Sequence, residues 1–394
     1  MSGVCLPEPG RRSFDQLPAT VERLLTGTSA GAPLRAPLLE ERYERVVLVF
    51  LDAFGWRFLD PLAGHPLLER ARVDGLLTQL TAQFPSTTTA HVTTIHTGLP
   101  VSEHGLYEWF VLEPLLDRLI VPLLYSFAGD GGREQLVGLL DPASVFPSGP
   151  LYPRLAAAGV PARVVQPASF AHGSPNRVLL TGAEVLGSRD QRHAIRIAAQ
   201  AAGDPGYVHL YLPDVDGLMH HTGPEDPAAS AAFETVLSSL HEAPWPQGTL
   251  VLLTADHGME RVDPHRTFYV NKVWPELPAL LEQGADGKPL APAGSCRDLF
   301  LHVRNEELQR VRDELADRLD GVATVLTRAE LVELGALVEP GEALDRRLAN
   351  LVVLPGDGEA VYWLEPGRFE QRLHGQHGGL SPHEMEIPLV GWVV

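Results

Sequence analysis

The sequence predicts an α/β protein: a mostly parallel sheet flanked by helices, with a small inserted α/β lobe. Three observations carry this expectation. Short, continuous apolar runs at 46–51, 207–212 and 249–253 have the pattern of strands buried on both faces. Helical periodicity follows between them, as at 229–240. Each of the three runs leads into an aspartate, and the carboxyl ends of strands are where open α/β sheets bind ligands.

The chain has 394 residues, room for two or three domains or for one large α/β domain with an insertion. Hydrophobic residues make up 44% and charged residues 21%, which excludes a mostly disordered chain. No apolar run approaches the about 18 residues of a membrane span, and no basic start followed by an apolar run opens the N-terminus. The two cysteines, Cys5 and Cys296, cannot form a disulfide framework. Together these points predict a cytoplasmic protein. The net charge of −19 repels nucleic-acid backbone and anionic membrane, so neither is an expected partner. Any handling of phosphate must rest on local charge, and a bound metal is the obvious source.

Taken in order, residues 1–45 are rich in Pro, Gly and Arg, with one helix expected around 18–25, and read as a peripheral N-terminal arm. Residues 46–265 read as the first part of the α/β core. Strand 46–51 ends in Asp52-Ala53-Phe54-Gly55. A helix is expected over 88–97, started by Ser86-Thr87-Thr88 and stopped by Gly98. A weak strand at 162–165 follows, then strand 207–212 and Pro213-Asp214-Val215-Asp216. Helix 229–240 carries Ala229, Phe233, Val236, Leu237 and Leu240 on one face. Strand 249–253 ends in Thr254-Ala255-Asp256-His257-Gly258. Residues 266–344 read as an inserted cap lobe. After a Pro- and Gly-rich opening come a strand at 299–303, a helix with Leu308, Val311, Leu315 and Leu319, and a strand at 322–326. Thr327-Arg328-Ala329-Glu330 is a capping box that opens a further helix. Residues 345–394 read as the second part of the core, the main sheet resuming at 351–354 and closing at 387–394.

Three carboxylates gathered at strand ends repel one another unless a cation neutralises them. His257 adjoins Asp256, and His220 follows Asp216 at the i, i+4 spacing that faces one side of a helical turn. A further histidine stands in Gly375-Gln376-His377-Gly378-Gly379. Three Asp and three His are the right count for two divalent ions and one shared reactive group. Mixed Asp/His ligation suits zinc first, with manganese or iron as alternatives. The shared group reads as a hydroxyl from Ser86-Thr87-Thr88-Thr89, at a helix N-terminus that favours an alkoxide and an approaching phosphate. Metal coordination lowers a hydroxyl pKa enough for attack near neutral pH.

Asp52 after a strand, Thr88 at a helix start before Thr97-Gly98-Leu99, Asp216 to His220-His221-Thr222-Gly223-Pro224, Asp256-His257-Gly258-Met259 and Gly375-Gln376-His377-Gly378 together resemble the nucleotide pyrophosphatase/phosphodiesterase (type I phosphodiesterase) branch of the alkaline phosphatase superfamily. The resemblance covers about 46–265 and 345–394, in the family's order. It implies an alkaline-phosphatase-like fold and a two-metal hydrolase acting on phosphodiester or pyrophosphate bonds of a small, nucleotide-like phosphate ester. It further implies that Asp52, Asp256 and His257 hold one ion, with Thr88 bound to it as nucleophile and phospho-threonine as intermediate. Asp216, His220 and His377 would hold the other. Thr88 is chosen because the family's nucleophile lies ten residues before the glycine matching Gly98.

The chain also departs from the family. Many members carry a phosphate-contacting asparagine shortly after the His-Gly that matches His104-Gly105, and here the segment reads Leu106-Tyr107-Glu108-Trp109. Nearly the same ligands would serve a phosphomonoesterase, phosphonate hydrolase or phosphomutase, or a catalytically silent metal- and phosphate-binding protein. No lysine or arginine lies between Thr88 and Asp117, which favours a diester over a dianionic monoester. A sulfatase is disfavoured, because neither cysteine sits in the Cys/Ser-x-Pro-x-Arg motif that enzyme class needs.

Overall fold

The three apolar runs form the centre of a seven-stranded sheet in the computed structural model, which describes residues 3–394. In chain order the strands are β1 (Arg45–Leu51), β2 (Leu76–Thr81), β3 (Ala162–Pro167), β4 (Glu184–Ser188), β5 (Gly206–Leu212), β6 (Thr249–Thr254) and β7 (Glu386–Val393). Their spatial order is β2-β7-β6-β1-β5-β3-β4. From β6 to β4 every pairing is parallel, while β7 runs antiparallel to both β6 and β2. β6 is buried along its whole length and β1 along all but its first residue, as strands covered on both faces must be. β2 is half-exposed, and its interleaved polar residues hide it from a search for apolar runs.

The register brings the chemistry to one edge. Leu51 pairs with Leu212 and Phe50 with Thr254. The turns carrying Asp52, Asp216 and Asp256 therefore leave the sheet side by side. Helix Pro227–Glu242 buries the five residues expected of it: Ala229, Phe233, Val236, Leu237 and Leu240.

Two expectations are corrected. The segment 1–45 is not peripheral within its described part, residues 3–45; residues 1 and 2 lie outside the described residues. Helix Leu17–Thr26 buries Leu17, Val21 and Leu24, and Phe14 packs edge-on against Phe50 at 5.7 Å and His91 at 4.6 Å. Apolar spacing of three and four outweighs the Pro- and Gly-rich flanks. Second, residues 351–354 do not resume the main sheet. Strand Leu351–Pro355 lies between Leu299–Leu301 and Ala323–Thr327 in a separate four-stranded antiparallel sheet, edged by Ala293–Gly294. An all-apolar run of five residues is equally content at the centre of either sheet, so its composition cannot assign it. The main sheet resumes only at β7.

The second sheet carries helices Leu308–Arg318 and Arg328–Leu334, the latter opened by the Thr327–Glu330 capping box. A fully buried ion pair, Arg297 to Glu384 at 2.9 Å, ties it to the turn before β7. Among the described residues no helix is long and apolar enough to cross a membrane.

Candidate metal centre

Two glycines allow the turns after β1 and β6, which carry Asp52 and Asp256-His257, to touch. A Cβ on Gly258 would stand 2.1 Å from the His383 carbonyl oxygen, and one on Gly55 would stand 2.7 Å from the Gly258 Cα. No side chain fits at either position.

Asp52, Asp256 and His257 converge within 4.8 Å, and so do Asp216, His257 and His377. His257 Nε2 lies 3.6 Å from Asp52 Oδ1 and 3.4 Å from Asp256 Oδ2. His220 adjoins the second group, its Nε2 3.4 Å from Asp216 Oδ2 and its ring 5.2 Å from that of His377. The rings of His257 and His377 stack at 3.5 Å, so the two groups share a wall.

The partners of these side chains decide which atoms are free. His220 Nδ1 meets Gly375 O at 2.8 Å, His257 Nδ1 meets Gly258 O at 2.8 Å and His377 Nδ1 meets Ser86 O at 2.9 Å. A carbonyl accepts only, so each Nδ1 carries the proton and each Nε2 presents a lone pair to the site. Asp256 Oδ1 accepts from the Ala53 and His257 amides, and Asp52 Oδ2 accepts from the Tyr211 hydroxyl at 2.5 Å. The remaining oxygens, Asp52 Oδ1, Asp256 Oδ2 and Asp216 Oδ1, are buried and have no hydrogen-bond partner among the described residues. Orphaned acceptors facing three lone-pair nitrogens are a donor set for cations. Burial and the neighbouring Asp256 and Asp216 charges push the Asp52 carboxyl well above the carboxylate range, and burial raises Asp216 to about 6. The cluster resists full ionisation without a compensating positive charge.

The hydroxyl cluster separates into three environments. Thr87 is the N-cap of helix Thr88–Thr97: its Oγ1 accepts from the Ala90 amide at 3.4 Å and donates to Tyr107 O at 2.7 Å. Thr89 is buried. Thr88 is half-buried, its Oγ1 3.1 Å from His257 Nε2. Gly98, at φ 76°, ends the helix in the left-handed conformation.

Several neighbouring side chains of metal-ligating type stand outside the two groups. His91, His96 and His104 are buried among hydrogen-bond partners, and Met259 is core. His383 contacts Arg57 and Glu260. Asp214 and His221 are exposed and make no side-chain hydrogen bond to the ligands among the described residues. Tyr211 is a site residue that no motif marks; its alternation with Tyr207 and His209 along β5 is the one sequence signal that puts it on a shared face.

Two cavities meet at the cluster, and Thr88, Trp109 and Asp216 line both. One, of about 540 Å³, continues past Glu108, Phe110 and Tyr362 to Ser295 and Cys296 at the head of the lobe and to the 368–377 loop. The other, of about 620 Å³, runs toward Gln166, Phe170 and Arg177. The segment matching the family's asparagine thus contributes Glu108 and Trp109.

The family profile described as Type I phosphodiesterase / nucleotide pyrophosphatase matches residues 46–380. No curated protein sequence matches the chain. Among solved structures, murine ectonucleotide pyrophosphatase/phosphodiesterase 5, as an inactive variant in complex with AMP, superposes with a TM-score of 0.62 at 18% identity, covering 88% of this chain and 87% of that one. The human counterpart gives 0.62 at 16% identity, with 88% and 87% covered. Phosphonoacetate hydrolase from Sinorhizobium meliloti, in complex with phosphonoacetate, gives 0.60 at 18% identity, with 88% and 89% covered. At these identities the likeness is one of fold.

Proposed function

The chain belongs to the type I phosphodiesterase / nucleotide pyrophosphatase family, metal-dependent phosphoryl hydrolases of the alkaline phosphatase superfamily, and from that premise we propose that it cleaves phosphodiester or pyrophosphate bonds through a phospho-threonine on Thr88. The observation that supports this reading is two adjoining Asp/His groups that share His257, with three orphaned carboxylate oxygens among them, and the half-buried Thr88 hydroxyl 3.1 Å from His257 Nε2. Asp52, Asp256 and His257 would hold one divalent ion beside Thr88, and Asp216, His220 and His377 the other. Zinc suits this donor set best, with manganese or iron as alternatives. Bound there, the ions would supply Lewis-acid chemistry, lowering the hydroxyl pKa and offsetting phosphate charge.

The residues do the rest. Thr88 stands at the N-terminus of a ten-residue helix, whose free amides and dipole favour a phosphate oxygen. The Thr88 hydroxyl gives up its proton to solvent as its Oγ1 forms a bond to phosphorus and the bond to the departing oxygen breaks. That oxygen leaves with the electron pair and is protonated from solvent. Water then attacks the phosphorus of this phospho-threonine, which still carries the retained substituent, breaking the bond to Oγ1; the phosphate monoester leaves and a water proton restores the hydroxyl. The diester preference is supported by the two cavities that meet at Thr88, one for each substituent on phosphorus. The AMP bound by the murine relative is of the nucleotide class this reading expects.

The test is hydrolysis of a chromogenic diester, the matching monoester and phosphonoacetate by metal-loaded protein, with mass spectrometry of quenched reactions for phosphate on Thr88. The diester should be cleaved fastest and the adduct found on the peptide carrying Thr88. Preference for the monoester or for phosphonoacetate would replace the proposed activity with a sister activity.

A further inference from the structure

The cavity toward Gln166 holds a set of donors that the proposed chemistry does not use. Gln166 is 5% exposed, yet its Nε2 has no hydrogen-bond partner. A buried amide left unpaired is rare and calls for an acceptor. Arg133 and Arg177 line the same cavity, both exposed, and among the described residues neither has an ion pair or a side-chain hydrogen bond. Arg133 stacks over the Phe170 ring at 5.0 Å, which holds its guanidinium at the wall. The one carboxylate in that part of the cavity, Glu134, is already engaged by the Ser174 amide at 2.8 Å and hydroxyl at 2.5 Å. In a chain of net charge −19, two arginines without ion pairs and an orphaned amide lining one cavity are a donor set suited to an anion.

Resting on the diesterase reading, we propose that the substrate substituent on this side of Thr88 carries an anionic group of its own, a second phosphate or a carboxylate, and that Gln166, Arg133 and Arg177 select for it. These are specificity residues and take no part in bond breaking. The opposite cavity, walled by Trp109, Phe110 and Tyr362, then takes the planar or apolar substituent.

The experiment compares three diesters that all release 4-nitrophenolate: ethyl 4-nitrophenyl phosphate and its 2-carboxyethyl and 2-phosphonooxyethyl analogues. Metal-loaded wild type should favour at least one anionic analogue by about tenfold or more in kcat/KM, and which one identifies the source of the charge. Arg177→Gln and Arg133→Gln, at exposed positions, should keep the ethyl-ester rate and bring the ratio toward one. Gln166→Glu should invert it. Equal rates in wild type, or a preference untouched by both arginine substitutions, overturn the proposal. The same compounds are titrated calorimetrically into metal-loaded Thr88→Ala protein. Tighter binding of the anionic analogues, lost in the arginine variants, upholds the site even where no diester is turned over, and equal binding there overturns it. Failure of turnover alone counts against the diesterase reading instead.

Discussion

Thr88, Thr87 and Thr89 are adjacent and chemically alike, and only their surroundings separate them. The Thr88 hydroxyl faces His257, while the Thr87 hydroxyl is spent on the Ala90 amide and the Tyr107 carbonyl. Thr88→Ala should therefore cut kcat/KM by at least about 10³-fold, ~4 kcal/mol of transition-state stabilisation, with fold and metal content kept. Thr88→Ser should retain partial activity. Thr87→Ala should act on stability, by about 1–3 kcal/mol in urea unfolding, because it removes a cap and a buried hydrogen bond. A Thr88→Ala enzyme at wild-type rate would disprove the nucleophile. A second expectation concerns His104. Its Nδ1 accepts the Leu106 amide at 3.1 Å and its Nε2 faces Thr94 Oγ1 at 3.0 Å, a geometry that requires the neutral ring. Burial pushes its pKa from 6.5 down to about 3. Below pH 6.5 the unfolded chain takes up a proton that the folded one refuses, so stability falls as pH drops from 6.5 toward 3. The slope is at most about 1.4 kcal/mol per pH unit for this group. Urea unfolding between neutral pH and pH 5 should show the decline, and His104→Gln should flatten it. An equal slope in both proteins would contradict the assignment.

At the scale of elements, the site depends on two turns in van der Waals contact. Gly258 follows the proposed ligand His257, and its missing Cβ leaves room for the His383 carbonyl and for Gly55 after the proposed ligand Asp52. Gly258→Ala must push these turns apart by a sizeable fraction of an ångström or more, because backbone atoms cannot yield as a flexible side chain does. Displacements of that size are enough to spoil a ligand set. Elemental analysis should show loss of the ion held by Asp52, Asp256 and His257, with the far-ultraviolet circular dichroism unchanged. Full metal content in the variant would mean that the turns are softer than their packing implies. Alanine at Gly64, where a Cβ meets nothing within 4 Å, is the matched control.

For the whole molecule, the proposed cation sites would couple to the fold. Asp52 and Asp256 are buried, and among the described residues Asp52 Oδ1 and Asp256 Oδ2 have no hydrogen-bond partner. Ions that bind only the folded state add stability by mass action, about 2.7 kcal/mol for each site at a hundredfold excess over its Kd. Purified protein should carry two transition-metal ions. Chelation should abolish hydrolysis and lower the melting temperature by several degrees, and zinc should restore both. A melting temperature indifferent to chelator would mean that the cluster is satisfied in another way.

The sequence by itself determined the strands at 46–51, 207–212 and 249–253, the helices at 88–97 and 229–240, and the capping box at Thr327. Each depends on local burial, periodicity or capping, and those patterns are written in neighbouring residues. It also determined that Asp52, Asp216 and Asp256 follow strands, and so that they belong at one edge of a parallel sheet. Tertiary structure alone decided the rest. Strand Leu351–Pro355 joined the second sheet and helix Leu17–Thr26 entered the core, because an apolar run records that it will be buried and not against what. Tyr211 reached Asp52, and His257 came to border both ligand groups, through contacts across more than a hundred residues of chain. Those contacts are made by the sheet register and the glycine-to-glycine packing of the turns, which no local pattern encodes.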